Sequence, residues 1–513
     1  IEMIRNANVV LLETGETIEV ALTWGNVTNF AGMVNDGKKL TDITHGTVEG
    51  VDWVVWSNKG SNSAQFPLID YGFNSDDPNV WYHPVVTVKW ILDKIQEQSG
   101  VTFNFPSDKL TVINKMIIPL LTRNDSQAIY DAYPMTLRVT GYDSSIIKFE
   151  AIGDSTQQYV STNGSRNIYP KFDSTLKLKG TIEVSYTYSQ GIDYLNTPFQ
   201  ITVYSTPTKQ EEIINIYKPA AYIEPPYIRL VYSFDTSATV YKDGYFIISS
   251  GNGQQPINSV SGSLSVTITE REEDVVLGEK FPLVPNLPDI KQIDFIKAVS
   301  SMVGLFALPD GENGIKFIPF DNLSANKSKA VDWTNRVIMA YNSVTPRNLQ
   351  YTLDNIAQNN WFRYKEDDNV MGNYDGNIQV DDATIEYERD AITLPFSACS
   401  TKGGVAYIPL YSYNEEGELE YNKTNPRILL LDGTKGIFKG LEWTTLIANN
   451  YQTYKGLINN AKVVTEYIRL NSIELRDLEM DIPVYLAQYG CYLAIIEITT
   501  KENDICECKL LKL

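Results

Sequence analysis

Val85–Pro106 reads VVTVKWILDKIQEQSGVTFNFP, and Asp289–Pro309 reads DIKQIDFIKAVSSMVGLFALP. Setting Gly100 over Gly304 aligns the two at an offset of 204 residues. Trp90, Ile91, Ile95 and Val101 then fall on Asp294, Phe295, Val299 and Leu305. In the first copy Val88, Ile91, Leu92 and Ile95 recur at helical spacing, which predicts an amphipathic helix over 87–99. Gly100 stands where a helix end favours a left-handed residue, and a strand follows. The second copy predicts a helix over about 290–303 with the same exit. A duplicated helix–strand unit points to a scaffold built by doubling rather than to a catalytic cleft.

Working outward, a chain of 513 residues holds several domains with ample core. An apolar share of 43% with 21% charged residues is that of a folded globular protein. The 32 tyrosines, many in alternating runs such as VSYTYSQ, favour sheets with half-buried aromatic faces. The net charge of −20 provides no footprint for gripping nucleic acid; it reads first as an ordinary solvated acidic surface, and second as the lining of a conduit through which DNA slides. No run reaches the roughly 18 apolar residues of a membrane span. The first 26 residues carry Glu2 and Glu13 and lack the small-residue site of a secretory leader.

The predicted fold class is α+β, mostly β, and multidomain. VVLLE and TIEVALTW, with a turn at Glu13–Gly15, read as strands within a first β domain, 1–149. LRVTGY, IIKFEAIG, LKLKGTIEVSYTYS, FQITVYS, YIRLVYSF, ATVYKDGYFIISS and GSLSVTITE form a ladder of short strands between the two copies. Most of this ladder reads as an inserted β-sandwich, 150–275, and Asp243-Gly244 within it signals a hairpin. Residues 276–345 carry the second helix–strand unit, with Asp310-Gly311 and Asn313-Gly314 as a turn between strands. Residues 346–513 read as a β-rich C-terminal domain with a surface loop at 365–382, a hairpin at Gly417 and one helix over 441–459.

Residues able to carry chemistry are sparse. There are two histidines, His45 and His83, and neither has the flanks of a nucleophile or metal motif. Four cysteines, Cys399, Cys491, Cys506 and Cys508, resemble no disulfide framework. A C-x14-C-x-C spacing is no usual zinc arrangement, and Cys506 and Cys508 share one face of a strand, as core residues would. Paired carboxylates occur at Asp76-Asp77, Asp367-Asp368 and Asp381-Asp382 and raise the thought of a glycosidase, but loops usually hold such doublets in solvent. DNVMGNYDGNIQVDD does not fit the calcium-loop register. SSGNGQQ (249–255) and DGTKGIFKG (432–440) lack the order of a phosphate loop and read as hairpin turns. The expectation is no catalytic, cofactor-binding or metal residues, no cofactor, and no enzyme.

PVVTVKWILDKIQEQSGVTFNFP resembles a segment of phage and prophage tail proteins of gut Bacteroidetes. DIKQIDFIKAVSSMVGLFALPDGENGIKFIPFDNL, followed by DWTNRV, resembles a second block of that family, and DIPVYLAQYGCYLAIIEITTKENDICECKLLKL its C-terminal block. These blocks cover about a quarter of the chain, in order, and none is a catalytic motif. More distantly, the doubled units look like baseplate hub proteins of the tail tip. That resemblance implies a homotrimer of pseudo-sixfold symmetry that joins the tail tube to a spike or fibre, contacts the tape-measure protein, and lets DNA pass without specific binding. It also implies a place in the virion tail after synthesis in the bacterial cytoplasm, with no stable membrane insertion. The inserted stretch departs from a minimal hub and leaves room for a host-surface glycan. The alternative reading is a carbohydrate-binding adhesin module resting on the Tyr- and Trp-rich β regions, and a third is a glycosidase or peptidoglycan hydrolase.

Overall fold

The computed structural model describes residues 8–14, 18–23, 37–45, 48–53, 63–72, 83–153, 159–162, 166–217, 219–250, 256–271, 274–275, 277–310, 313–338, 348–351, 353–501 and 504–513. The chain is α+β and mostly β, and it divides into two compact units. One comprises Ile1–His45, Asn62–Leu121 and Pro288–Leu513, and the other Gly46–Ser61 and Thr122–Leu287. The boundaries read from sequence at 149/150 and 275/276 therefore lie at 121/122 and 287/288. The reason is local: strands Met135–Asp143 and Ile146–Ile152, placed in the first domain by sequence, pair within the inserted sheet. Both helix–strand copies and the C-terminal region fall in the same unit.

In that unit the first copy forms helix α1, Val88–Ser99, and the second forms α2, Gln292–Met302. The Thr87 hydroxyl caps α1 by accepting from the Trp90 N–H at 3.1 Å. The face predicted from spacing is the buried one, with Val88, Ile91, Leu92 and Ile95 in the core. Gly100 and Gly304 are both left-handed, at φ 70° and 71°. The exit strands then meet in one sheet. Leu305–Asp310 pairs antiparallel with Gly314–Pro319, the two strands expected there, while Gly311 within the expected turn lies outside the described residues. Thr102–Asn104 pairs parallel with Gly314–Lys316 on the other side.

The rest of this unit is built of further sheets. Met116–Pro119, the apolar run after α1, lies between Leu429–Asp432 and Val85–Thr87. Cys491–Thr500, Ile505–Lys512 and Val463–Arg469 form the antiparallel centre of a larger sheet. The helix expected over 441–459 is two helices, α3 Trp443–Asn450 and α4 Gln452–Asn459, broken at Tyr451 with φ −120° and ψ 13°. The hairpin at Gly417 is present, with φ 79° at the turn and Tyr411–Tyr413 paired to Leu419–Tyr421.

The inserted unit is dominated by nine strands: β1 Met135–Asp143, β2 Ile146–Ile152, β3 Ser174–Thr187, β4 Phe199–Thr206, β5 Lys209–Ile216, β6 Ala220–Glu224, β7 Tyr227–Val240, β8 Tyr245–Ser250 and β9 Ile257–Arg271. They form one sheet in the order β5-β4-β8-β2-β1-β9-β3-β7-β6. The sheet curls until β4 faces β7, so Phe199 meets Tyr232 and Phe234 with ring centroids 4.7 and 5.9 Å apart. Leu176, Leu178, Ile182, Val184 and Tyr186 alternate inward along β3, all fully buried. Asp243-Gly244 does turn the chain, with the Gly244 N–H donating to the Tyr241 carbonyl at 3.0 Å. It does not make the expected hairpin, because β7 pairs with β3 and β6 while β8 pairs with β4 and β2. Gly244 is required by space: a Cβ there would lie 1.8 Å from the Tyr204 carbonyl oxygen.

Candidate functional site

The two helix–strand copies are tied together by side chains as well as by their shared sheet. Gln292 at the start of α2 donates to the Gln98 Oε1 near the end of α1 at 3.2 Å, and to the Lys39 carbonyl at 3.1 Å. Phe317 stacks on Phe105 at 4.2 Å and meets Phe103 edge-on at 6.1 Å. At the rim of the sheet the Asn104 amide donates to Asp310 at 2.6 Å. Lys316, in the central strand, donates to the buried Asp481 at 2.8 Å, and that hydrogen bond raises its pKa.

The break between α3 and α4 belongs to the same arrangement. Asn450 donates to the Met302 carbonyl at 3.2 Å, and the Tyr451 hydroxyl donates to the Ser301 carbonyl at 2.5 Å. Both acceptors lie in the last turn of α2, where carbonyls have no partner within the helix. Lys109, which follows the first copy, donates to the Asn450 Oδ1 at 2.7 Å. One asparagine thus links the end of the second copy to the segment after the first. A pair of asparagines before an aromatic residue, NNY at 449–451, is a weak helix stretch and was the available signal in sequence.

The candidate residues separate. His45 is exposed in a turn. His83 is buried against the Tyr71 ring, with centroids 5.4 Å apart. Asp76 and Asp77 lie outside the described residues. Asp381 is exposed, and Asp382 accepts from the Thr384 N–H and hydroxyl, which lowers its pKa. Cys506 and Cys508 are buried in an apolar cluster with Trp333, Ile468 and Leu510, and Cys491 is half-buried at a strand start. Burial pushes the Cys508 thiol up to about 12. Of the two glycine-rich stretches, DGTKGIFKG is a hairpin turn with Gly433 at φ 60°, and SSGNGQQ lies largely outside the described residues. Among the described residues no three His, Cys, Asp or Glu side chains are gathered to hold a metal ion.

Asp367 corrects the expectation of a solvated loop at 365–382. Its side chain is 5% exposed and pairs with Arg427, whose side chain is fully buried, at 2.5 Å. Arg427 also donates to the Asn425 carbonyl at 2.7 Å. Burial alone would raise the Asp367 pKa. The Asn369 N–H, Arg427 and Asn425 outweigh it and hold the carboxyl below its usual range. The Cys399 thiol, also buried beside Arg427, is pushed up to about 12 by burial. It donates to the Tyr407 carbonyl at 3.0 Å and is packed in the interior. Arg427 was missed in sequence, although a lone cation heading the apolar run ILLL was visible there.

No family model matches the chain, and no curated protein matches it. Among solved structures it is similar to the 43 kDa tail protein of prophage MuSo2 from Shewanella oneidensis, at 8% identity, covering 67% of this chain and 95% of that one. The TM-score is 0.22, a value at which the likeness carries no structural argument. The tail-protein reading rests on the residues themselves.

Proposed function

We propose that the chain is a structural component of a phage tail tip or baseplate, acting as a hub that joins the tail tube to a spike or fibre and lines part of the DNA channel. The observation that carries the reading is the doubled helix–glycine–strand unit, whose two copies keep the same left-handed exit glycine and are joined in one sheet. A rigid, duplicated β scaffold suits assembly through extended faces between identical subunits. The acidic balance fits a conduit: a net charge of −20 per copy repels the phosphate backbone, so DNA moves past without being held. The buried Arg427–Asp367 pair and the packed thiols serve rigidity in this reading.

The partners are further copies of the chain, most simply a homotrimer, with tube, tape-measure and spike or fibre proteins at its ends. Light scattering on the purified protein tests it: three copies, or a multiple of three, are expected at micromolar concentration. A monomer, or tight binding of duplex DNA at physiological salt, refutes the hub.

A further inference from the structure

Strand β6, Ala220–Glu224, is the outer edge of the inserted sheet, and residues 220–227 are all exposed on both faces. Ile223 is 57% exposed, Tyr222 48% and Tyr227 50%. The register explains why this is unusual. Ala221 and Ile223 lie opposite Leu230 and Ile228 of β7, both buried, so they sit on the face that elsewhere forms the core. Ala221 and Ile223 nevertheless stay exposed, although the turn Tyr194–Asn196 lies beside β6. The opposite edge differs: Ile214 and Ile216 of β5 already pack on the core. Among the described residues the free side of β6 pairs with no strand.

An open edge of this kind is a template for another strand, and edges are normally guarded by charge, proline or a bulge. β6 carries one charge, Glu224, at its end, and its prolines, Pro225 and Pro226, stand just beyond it. We infer that β6 pairs antiparallel with β6 of a second copy, centred on Tyr222. The order Ala-Ala-Tyr-Ile-Glu is complementary to itself about that residue. Antiparallel pairing sets Ala221 against the partner's Ile223 on the core-side face, and Ala220 against the partner's Glu224 on the other. Small meets large on either side of the central Tyr222 pair, and no like charges are opposed. Parallel pairing would instead bring the two Glu224 carboxylates together. The contact is isologous, so it satisfies two open edges at once. It joins copies two at a time and does not depend on the ring that the rest of the chain forms.

Two measurements decide it. Tyr222→Lys sets two ammonium groups against each other at the centre of the pairing, and the mass in solution halves. That result holds whether the starting assembly is a dimer or a pair of rings, so it is distinct from the test of the hub. Tyr222→Cys yields a disulfide-linked pair under mild oxidation, because directly opposed strand residues lie within disulfide reach. Ala220→Cys, which opposes Glu224 of the other copy, does not. Both positions are exposed, and circular dichroism confirms that the three variants fold. Equal cross-linking at positions 220 and 222, no cross-linking at 222, or a mass unchanged by Tyr222→Lys overturns the pairing.

Discussion

Replacing Asp367 by Asn isolates the contribution of one buried charge. The substitution keeps the side chain's volume and removes the carboxylate that the Arg427 guanidinium reaches at 2.5 Å. Charge centres about 4 Å apart at an effective dielectric of about 20 interact by about 4 kcal/mol. That agrees with the about 3–5 kcal/mol lost when one partner of a buried pair is removed and the other charge is stranded. The expected cost of Asp367→Asn is therefore about 4 kcal/mol, confined to the unit that contains residues 288–513. The double variant Asp367→Leu with Arg427→Met should recover most of it, since no unpaired charge remains. Urea unfolding followed by near-ultraviolet circular dichroism measures both, with transitions of the two units fitted separately. The pH dependence has a definite sign. The folded carboxyl is held below its unfolded value, so its contribution is complete above about pH 4 and is lost as pH falls through the folded value. Asp367→Asn should flatten that acid limb. A cost under about 1 kcal/mol, or a double variant no more stable than the single, would refute the argument from a stranded charge.

Two further predictions follow from the same unit. Gly100→Ala should cost about 1 kcal/mol, the strain of a left-handed alanine, since a Cβ at Gly100 meets nothing within 4 Å. Gly304→Ala should cost about 3 kcal/mol, because a Cβ there lies 2.5 Å from the Asn450 Cβ and 2.8 Å from its carbonyl oxygen; thermal unfolding of the two variants side by side tests the difference. Iodoacetamide at pH 8 should modify Cys491 first and leave Cys399 untouched until urea unfolds the chain, since a thiol pushed up to about 12 is thiolate about once in 10⁴ molecules. Peptide mass spectrometry reads the order, and modification of folded Cys399 at the rate of Cys491 would contradict it.

How much of this was legible in the sequence varied with where the determining partner lay. α1 was readable because Val88, Ile91, Leu92 and Ile95 set the buried face and Gly100 the end, all within one segment. Strands such as β3 were readable because one face is buried and alternation survives. β5 and β6 were not, since KQEEI and AAYIE are exposed on both faces and carry no alternation. The Asp243-Gly244 turn was recognised, but its meaning was not: a hairpin signal reports a reversal of the chain, and the curled sheet decides which strands pair across it. The helix break at Tyr451 answers carbonyls of Ser301 and Met302 about 150 residues away, which no local pattern encodes. Asp367 read as a loop carboxylate for the same reason, because Arg427 lies 60 residues further on.

The shared sheet changes what the duplication means. A strand of three residues such as Thr102–Asn104 cannot hold a sheet alone, and it is ordered by Gly314–Lys316 of the second copy. The copies are thus interdependent parts of one unit, and their glycines have diverged in role. Gly100 supplies conformation with open space around it, whereas Gly304 supplies conformation and room for Asn450. In a ring of three chains, the second set of equivalent positions would have to come from faces of this single unit. That places the weight of the hub reading on the symmetry of the assembled particle. If Gly304→Ala loosens the link through Asn450 to Lys109, both copies should loosen together: hydrogen exchange should rise in α1 and α2 alike, and a rise confined to α2 would show that the copies act separately.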